Sequence, residues 1–396
     1  MGPGIITASV GNNSAGIATY SLAGAHFGYS LLGAFIPMTL ALIVAQEMGA
    51  RMAVATGKGL ADLIRETYGV KITFYLMLIL FMTNLICLIA EFSGVAASLE
   101  IFHISKYFSI PVAAFLVWML IVKGTYKLVE RVFLISSFIY VCYLVSGFLS
   151  HPDWLAAGRQ TLVPQFEFHR DSTIMLIGMI GTTITPWMQF YLQSSIVEKR
   201  VSAEDYRHVK LDVIIGCILA SVVAFFIVVA CAATLFKAGI PIHTVQDAAI
   251  ALQPLAGAYA GWLFALGLFN AAIFAVSILP LSTAYTICEG MGWEEGVDKR
   301  YEEAPQFFGL YTAMIAIGAG VVLIPQFPFL KVMYFSQVGN GILLPVILIF
   351  MLSLINNQEI MGEFTSSRAL NVIAWITITV IILLTILMVT FTLFHP

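Results

Sequence analysis

Apolar runs of about 20 residues recur along the chain, each long enough to cross a hydrocarbon core of about 30 Å. They fall at roughly 4–26, 29–54, 71–101, 108–123, 128–150, 172–198, 210–236, 257–287, 305–325, 329–355 and 370–394. This pattern predicts an all-α membrane protein with 11 transmembrane helices, and a short amphipathic piece, Leu60 to Tyr68, lying at the interface. Two of the runs are interrupted. The first reads Gly11-Asn12-Asn13-Ser14-Ala15-Gly16 and the sixth Thr182-Thr183-Ile184-Thr185-Pro186. Unwound backbone at membrane depth is tolerated only where protein buries it or where it lines a cavity. Paired interruptions at matching places in two halves therefore point to a solute site near the bilayer midplane. Five spans is an odd number, so a second set of five must be inverted relative to the first. The expected architecture is LeuT-type, a 5+5 inverted repeat with broken helices 1 and 6. Repeat one covers 1–150, repeat two 172–355 and an extra helix 370–394, all within a single domain over 1–396.

Composition fixes the class. Of 396 residues, 60% are hydrophobic and 10% charged, against about 25% charged in soluble domains. A net charge of -3 gives no footprint for nucleic acid. The bilayer is the expected partner, and a monomer the expected state. With the N-terminus inside, 14 of the 19 lysines and arginines fall on inner loops, Lys58, Arg65, Lys199 and Lys299 among them. That bias predicts a cytoplasmic N-terminus and an outer C-terminus in a prokaryotic cell membrane. The opening Gly2-Pro3-Gly4 argues against a cleavable signal peptide. Cys87, Cys142, Cys217, Cys231 and Cys288 are scattered and read as small packing residues. No nucleophile, base and orienting acid converge in the spans, so an enzyme is not expected, and no cofactor is implied.

The breaks offer uncharged oxygen: the amides of Asn12 and Asn13, the hydroxyls of Thr182 and Thr185, and freed backbone carbonyls. Gln337 and Asn340 add an amide pair three residues apart on the tenth span. Each has a plainer reading. Asn12-Asn13 could be a self-satisfied turn, the threonines could bond back to the preceding helical turn, and the amide pair could join helices. Glu91 is the acid deep in an apolar span, where an ionisable group is functional by default. Pro186 reads as structural, because it removes a helix hydrogen bond.

Several stretches together resemble the Nramp divalent metal transporters over nearly the whole chain. They are Gly2-Pro3-Gly4, Ala23-Gly24-Ala25-His26-Phe27-Gly28-Tyr29, Ala50-Arg51, Ala55-Thr56-Gly57-Lys58, Ala90-Glu91, Tyr191-Leu192-Gln193-Ser194 and Met361-Gly362. The phrase Thr185-Pro186-Trp187-Met188-Gln189-Phe190-Tyr191 is more similar to the Nramp-related magnesium transporter branch than to manganese and iron members. The resemblance implies that Asn13 stands where the family has a metal-binding aspartate and Gly16 where it has an asparagine. Thr182 and Thr185 then take the places of an alanine carbonyl and a methionine sulfur. It also implies a thinned proton relay: Glu91 remains, Leu88 replaces an acid, and Gln193 replaces a histidine.

These readings converge on a secondary transporter moving a divalent cation, Mg²⁺ or Mn²⁺, by alternating access with weak or absent proton coupling. The implied metal set is Asn13, Thr182, Thr185 and Gln337, within a substrate set that adds Gly16, Asn12 and Asn340. Glu91 and Gln193 form the charge-compensation or proton group. Hard neutral oxygens suit such ions, and a missing thioether removes the preference for softer metals. Two alternatives stay open: a small organic solute such as an amino acid on the same fold, and a transport-inactive Nramp-like protein.

Overall fold

The computed structural model describes residues 11–123, 141–164, 166–199, 201, 205–244, 247–249, 257 and 260–394. Among these every regular element is helical. In chain order they are α1 (Ser14–Phe27), α2 (Phe35–Thr56, led by a 3-10 turn at Leu32–Ala34), α3 (Leu60–Glu100), α4 (Lys106–Lys123) and α5 (Val141–Leu149). Then come α6 (Trp154–Leu162), α7 (Arg170–Thr183), α8 (Pro186–Glu198), α9 (Tyr206–Cys231) and α10 (Ala260–Met291). The last are α11 (Pro305–Val322), α12 (Phe329–Ile355) and α13 (Arg368–Phe394).

Among the described residues, eight helices are long and apolar enough to cross a membrane. The other three expected spans are the two interrupted ones and the fifth, most of which lies outside the described residues. The amphipathic piece Leu60 to Tyr68 is not a separate element. It runs straight into the third span as the head of α3, with one non-helical residue, Gly69 at φ 82 and ψ 166, between them. That positive φ costs glycine little and most other residues a good deal.

One buried apolar cluster extends from Ala15 to Leu384. The pairing of α3 with α10 is its most extensive contact, followed by those of α12 with α7 and with α3. The α7–α12 contact is backbone on backbone. A β-carbon at Gly181 would collide with the Gln337 carbonyl and the Gly341 amide, and one at Gly341 with the Ile177 carbonyl. Small residues at such crossings let helices approach closely where lipid provides no hydrophobic drive for association. In this bundle that approach brings the end of α7 beside Gln337.

Glu47 and Arg51 form an ion pair one turn apart on α2, with Arg51 Nε donating to Glu47 Oε1 at 3.0 Å. The Tyr206 hydroxyl donates to the same carboxylate.

Candidate functional site

Neither interruption is continuous helix: Gly11 to Asn13 are non-helical before α1, and Ile184 and Thr185 separate α7 from α8. The first break ends at Asn13, the N-cap of α1, with extended φ -66 and ψ 175; its Oδ1 accepts from Gly16 N at 2.7 Å. This is the ordinary way asparagine satisfies a helix head. Residues 1–10 lie outside the described residues. The second break is complete: α7 stops at Thr183, Ile184 and Thr185 are non-helical, and Pro186 opens α8. Proline forces the residue before it into extended backbone, and its own missing N–H is harmless at the first helical position.

The two breaks face each other at Gly16. A β-carbon there would lie 2.7 Å from Thr182 Oγ1, 2.9 Å from Gly11 O and 3.1 Å from Asn13 Oδ1. Three uncharged oxygens, from the end of α7 and the head of α1, therefore ring the space in front of a residue without a side chain. Thr185 Oγ1 is buried and has no hydrogen-bond partner, and Thr182 Oγ1 is buried with the Tyr20 hydroxyl as its neighbour. Buried hydroxyls are nearly always bonded, so a bare one at a helix break calls for an occupant. Beside them, Tyr20 on α1 and Thr183 on α7 share a hydrogen bond of 2.8 Å that ties the two elements together.

Glu91 holds the head of α1 at this place. Its Oε2 accepts from Ser14 N at 3.1 Å and Ser14 Oγ at 2.7 Å, and its Oε1 from Ala15 N at 3.3 Å. Gly94 on the same face of α3 leaves room for Ser14 to approach. The carboxylate thus sits on the positive end of the α1 dipole, next to the cradle rather than inside it. It is buried, with its oxygens turned to the helix head.

The amide pair is also buried. Asn340 Nδ2 donates to Gln337 Oε1 at 3.3 Å, Gln337 Nε2 donates to Ser336 Oγ at 3.0 Å, and Cys87 Sγ donates to Asn340 Oδ1 at 3.4 Å. Gln337 flanks the cradle through Gly181, while Asn340 links α12 to α3.

Two sequence candidates fall elsewhere. The Asn12 side chain donates to Ala220 O on α9 at 3.0 Å, so it tethers the first break to a neighbouring helix. Gln193 does not join Glu91; its Nε2 donates to Lys58 O at 2.9 Å, at the corner between α2 and α3. Two amides were overlooked. Gln189, one turn into α8, donates to Thr185 O at 3.4 Å and leaves its Oε1 bare, and Gln46 on α2 leaves both amide atoms bare. A glutamine inside an apolar run was the available signal for each.

The chain matches known proteins along almost all its length. A family model described as natural resistance-associated macrophage protein-like, Nramp, matches residues 4–391. A divalent metal cation transporter, MntH, of Yersinia enterocolitica is 25% identical over 397 residues, covering 96% of this chain and 92% of that protein. A protein of the same description from Clostridium acetobutylicum is 25% identical over 405 residues, with 98% and 90% covered. A crystal structure of the Eremococcus coleocola manganese transporter superposes with a TM-score of 0.81 at 21% identity. It covers 97% of this chain and 84% of that one.

Proposed function

The chain belongs to the Nramp family and is a membrane transporter rather than an enzyme, and on that footing we propose that its cargo is a divalent metal cation. Mg²⁺ or Mn²⁺ is the ion that the cradle suits, and the two breaks are the elements about which access alternates. The observation that carries this reading is the convergence of Thr182 Oγ1, Gly11 O and Asn13 Oδ1 on the side of Gly16 that lacks a side chain, with the buried Thr185 hydroxyl unpartnered at the same break. Hard oxygens of this kind suit ions that keep part of their water. No sulfur is needed, and the relatives' printed description as divalent metal cation transporters agrees in cargo class.

A dication at membrane depth without a carboxylate ligand costs several kcal/mol. Retained water, the carbonyl of Gly11 and the nearby charge of Glu91 offset part of it. The affinity is therefore low. Coupling to protons is weak or absent, because the titrating chain that such coupling needs is reduced to Glu91 at the cradle, and Gln193 lies apart from it.

The test is uptake of Mg²⁺ and Mn²⁺ into proteoliposomes by the wild type and by Thr182→Val, which keeps the shape and removes the hydroxyl. The variant should raise the half-saturating metal concentration by roughly tenfold, the worth of one oxygen donor to a charge. Metal-independent uptake of a zwitterion such as an amino acid would overturn the reading, as would uptake that ignores the lost hydroxyl.

A further inference from the structure

A second group of unsatisfied oxygens lies at the other end of α8, at the end of the bundle where Lys58, the head of α3 with Arg65, and the loop carrying Lys299 come together. Glu289, in the last turn of α10, is 4% exposed. One of its oxygens, Oε1, accepts from Ser194 Oγ on α8; the other, Oε2, is buried with no hydrogen bond of its own, and the Ala61 amide lies near the carboxylate. The carboxylate fills the space a side chain at Gly59 would occupy, directly against the head of α3. Gln193 is fully buried, and its Nε2 is spent on Lys58 O, the residue before Gly59, so its unpartnered Oε1 faces the same corner. Glu295, on the loop after α10, brings a further buried Oε2 without a partner, with Glu289, Asp62, Glu198 and Lys299 as its charged neighbours.

The nearby cations are already engaged. Arg65 binds Asp62 at 2.9 Å, Lys58 binds Glu66 at 2.7 Å, and Lys299 binds Glu294. Two carboxylates and an amide are thus left in a buried corner, each with one oxygen that accepts no hydrogen bond. Buried charge of one sign is costly unless a counter-charge or a metal joins it. No three His, Cys, Asp or Glu side chains gather there or elsewhere among the described residues in an arrangement that could hold a metal by themselves. An all-protein cage is therefore ruled out, and an ion that binds through one or two carboxylates and keeps several waters is favoured, which is the habit of Mg²⁺.

We propose that Glu289, Glu295 and Gln193 form a second site for a hydrated divalent cation, separate from the cradle and on the path between it and the basic end of the bundle. The site rests on the reading of the chain as a divalent-cation carrier. Its ion bridges α8, α10 and the head of α3, so that occupancy holds that end of α8 in place and release frees it.

Mn²⁺ is the probe, because its free aqueous form is counted directly by electron paramagnetic resonance in titrations of the purified protein in detergent. The wild type should bind two ions. Glu289→Gln should remove one and leave the ion that Thr182→Val weakens; Glu295→Gln should weaken the ion that Glu289→Gln removes by roughly tenfold or more. Unchanged stoichiometry in a folded Glu289→Gln protein overturns the second site and leaves the cradle reading standing. Loss of an ion in Glu289→Gln with no response to Thr182→Val keeps the second site and overturns the cradle. Should Glu289→Gln not fold, Glu295→Gln decides: full-strength binding of both ions by that variant overturns the site.

Discussion

At Gly16 the absence of a side chain is the functional feature, since any β-carbon would enter the space between Thr182, Gly11 and Asn13. Gly16→Ala should therefore abolish metal uptake while helix α1, where alanine is the better former, stays intact; circular dichroism beside an uptake assay checks both. Asn13 has two duties, capping α1 and lending its oxygen to the cradle. Asn13→Ala should lower stability by about 1 kcal/mol, the usual worth of such a cap, measurable as a lower thermal midpoint in detergent. The sequence placed Asn12 and Asn13 together because neighbouring asparagines look alike in a break. Only the direction of the turn decides that one caps and the other reaches Ala220. Glu91 was legible as a buried acid, but its bond to Ser14 joins residues 77 apart in sequence, and no local pattern encodes that distance.

Helical elements were the easiest feature to read, because lipid demands long apolar runs and proline marks a break wherever it falls. The stop at Thr183 and restart at Pro186 follow from that rule. The head of α3 was harder. Leu60 to Tyr68 carries enough polar residues to look like a surface piece, and the bend at Gly69 that joins it to the span is a matter of one backbone angle. The crossing of α7 and α12 could not be read at all, since glycines in apolar runs are common and only the fold pairs Gly181 with Gly341. Gly181→Ala should force these backbones apart, at a cost of about 1–3 kcal/mol for overpacking. The thermal midpoint should fall, and metal uptake should fall with it, because Thr182 is the next residue. A variant with unchanged stability and uptake would show that the contact does not position the break.

On the scale of the whole molecule, the expected bundle and family are in place, while the count of spans rests partly on residues outside the described set. Lys58 on the loop before α3, Arg65 on the head of α3 and Lys299 on the loop after α10 lie at one end of the bundle. If proton coupling is weak or absent, metal influx into proteoliposomes should proceed without acidifying their interior, as read by an enclosed pH dye. Acidification in step with uptake would contradict that expectation and return Glu91 to the role of proton carrier.

The most direct test of the uncharged cradle is metal affinity in Asn13→Asp, compared with the wild type for Mg²⁺, Mn²⁺ and Ca²⁺. Aspartate keeps the cap on α1 and adds a carboxylate to the three-oxygen ring. Affinity for all three ions should rise by roughly tenfold, about 1.4 kcal/mol. Affinity that stays flat or falls for every ion, in a protein that remains folded, would mean that no dication sits between the two breaks.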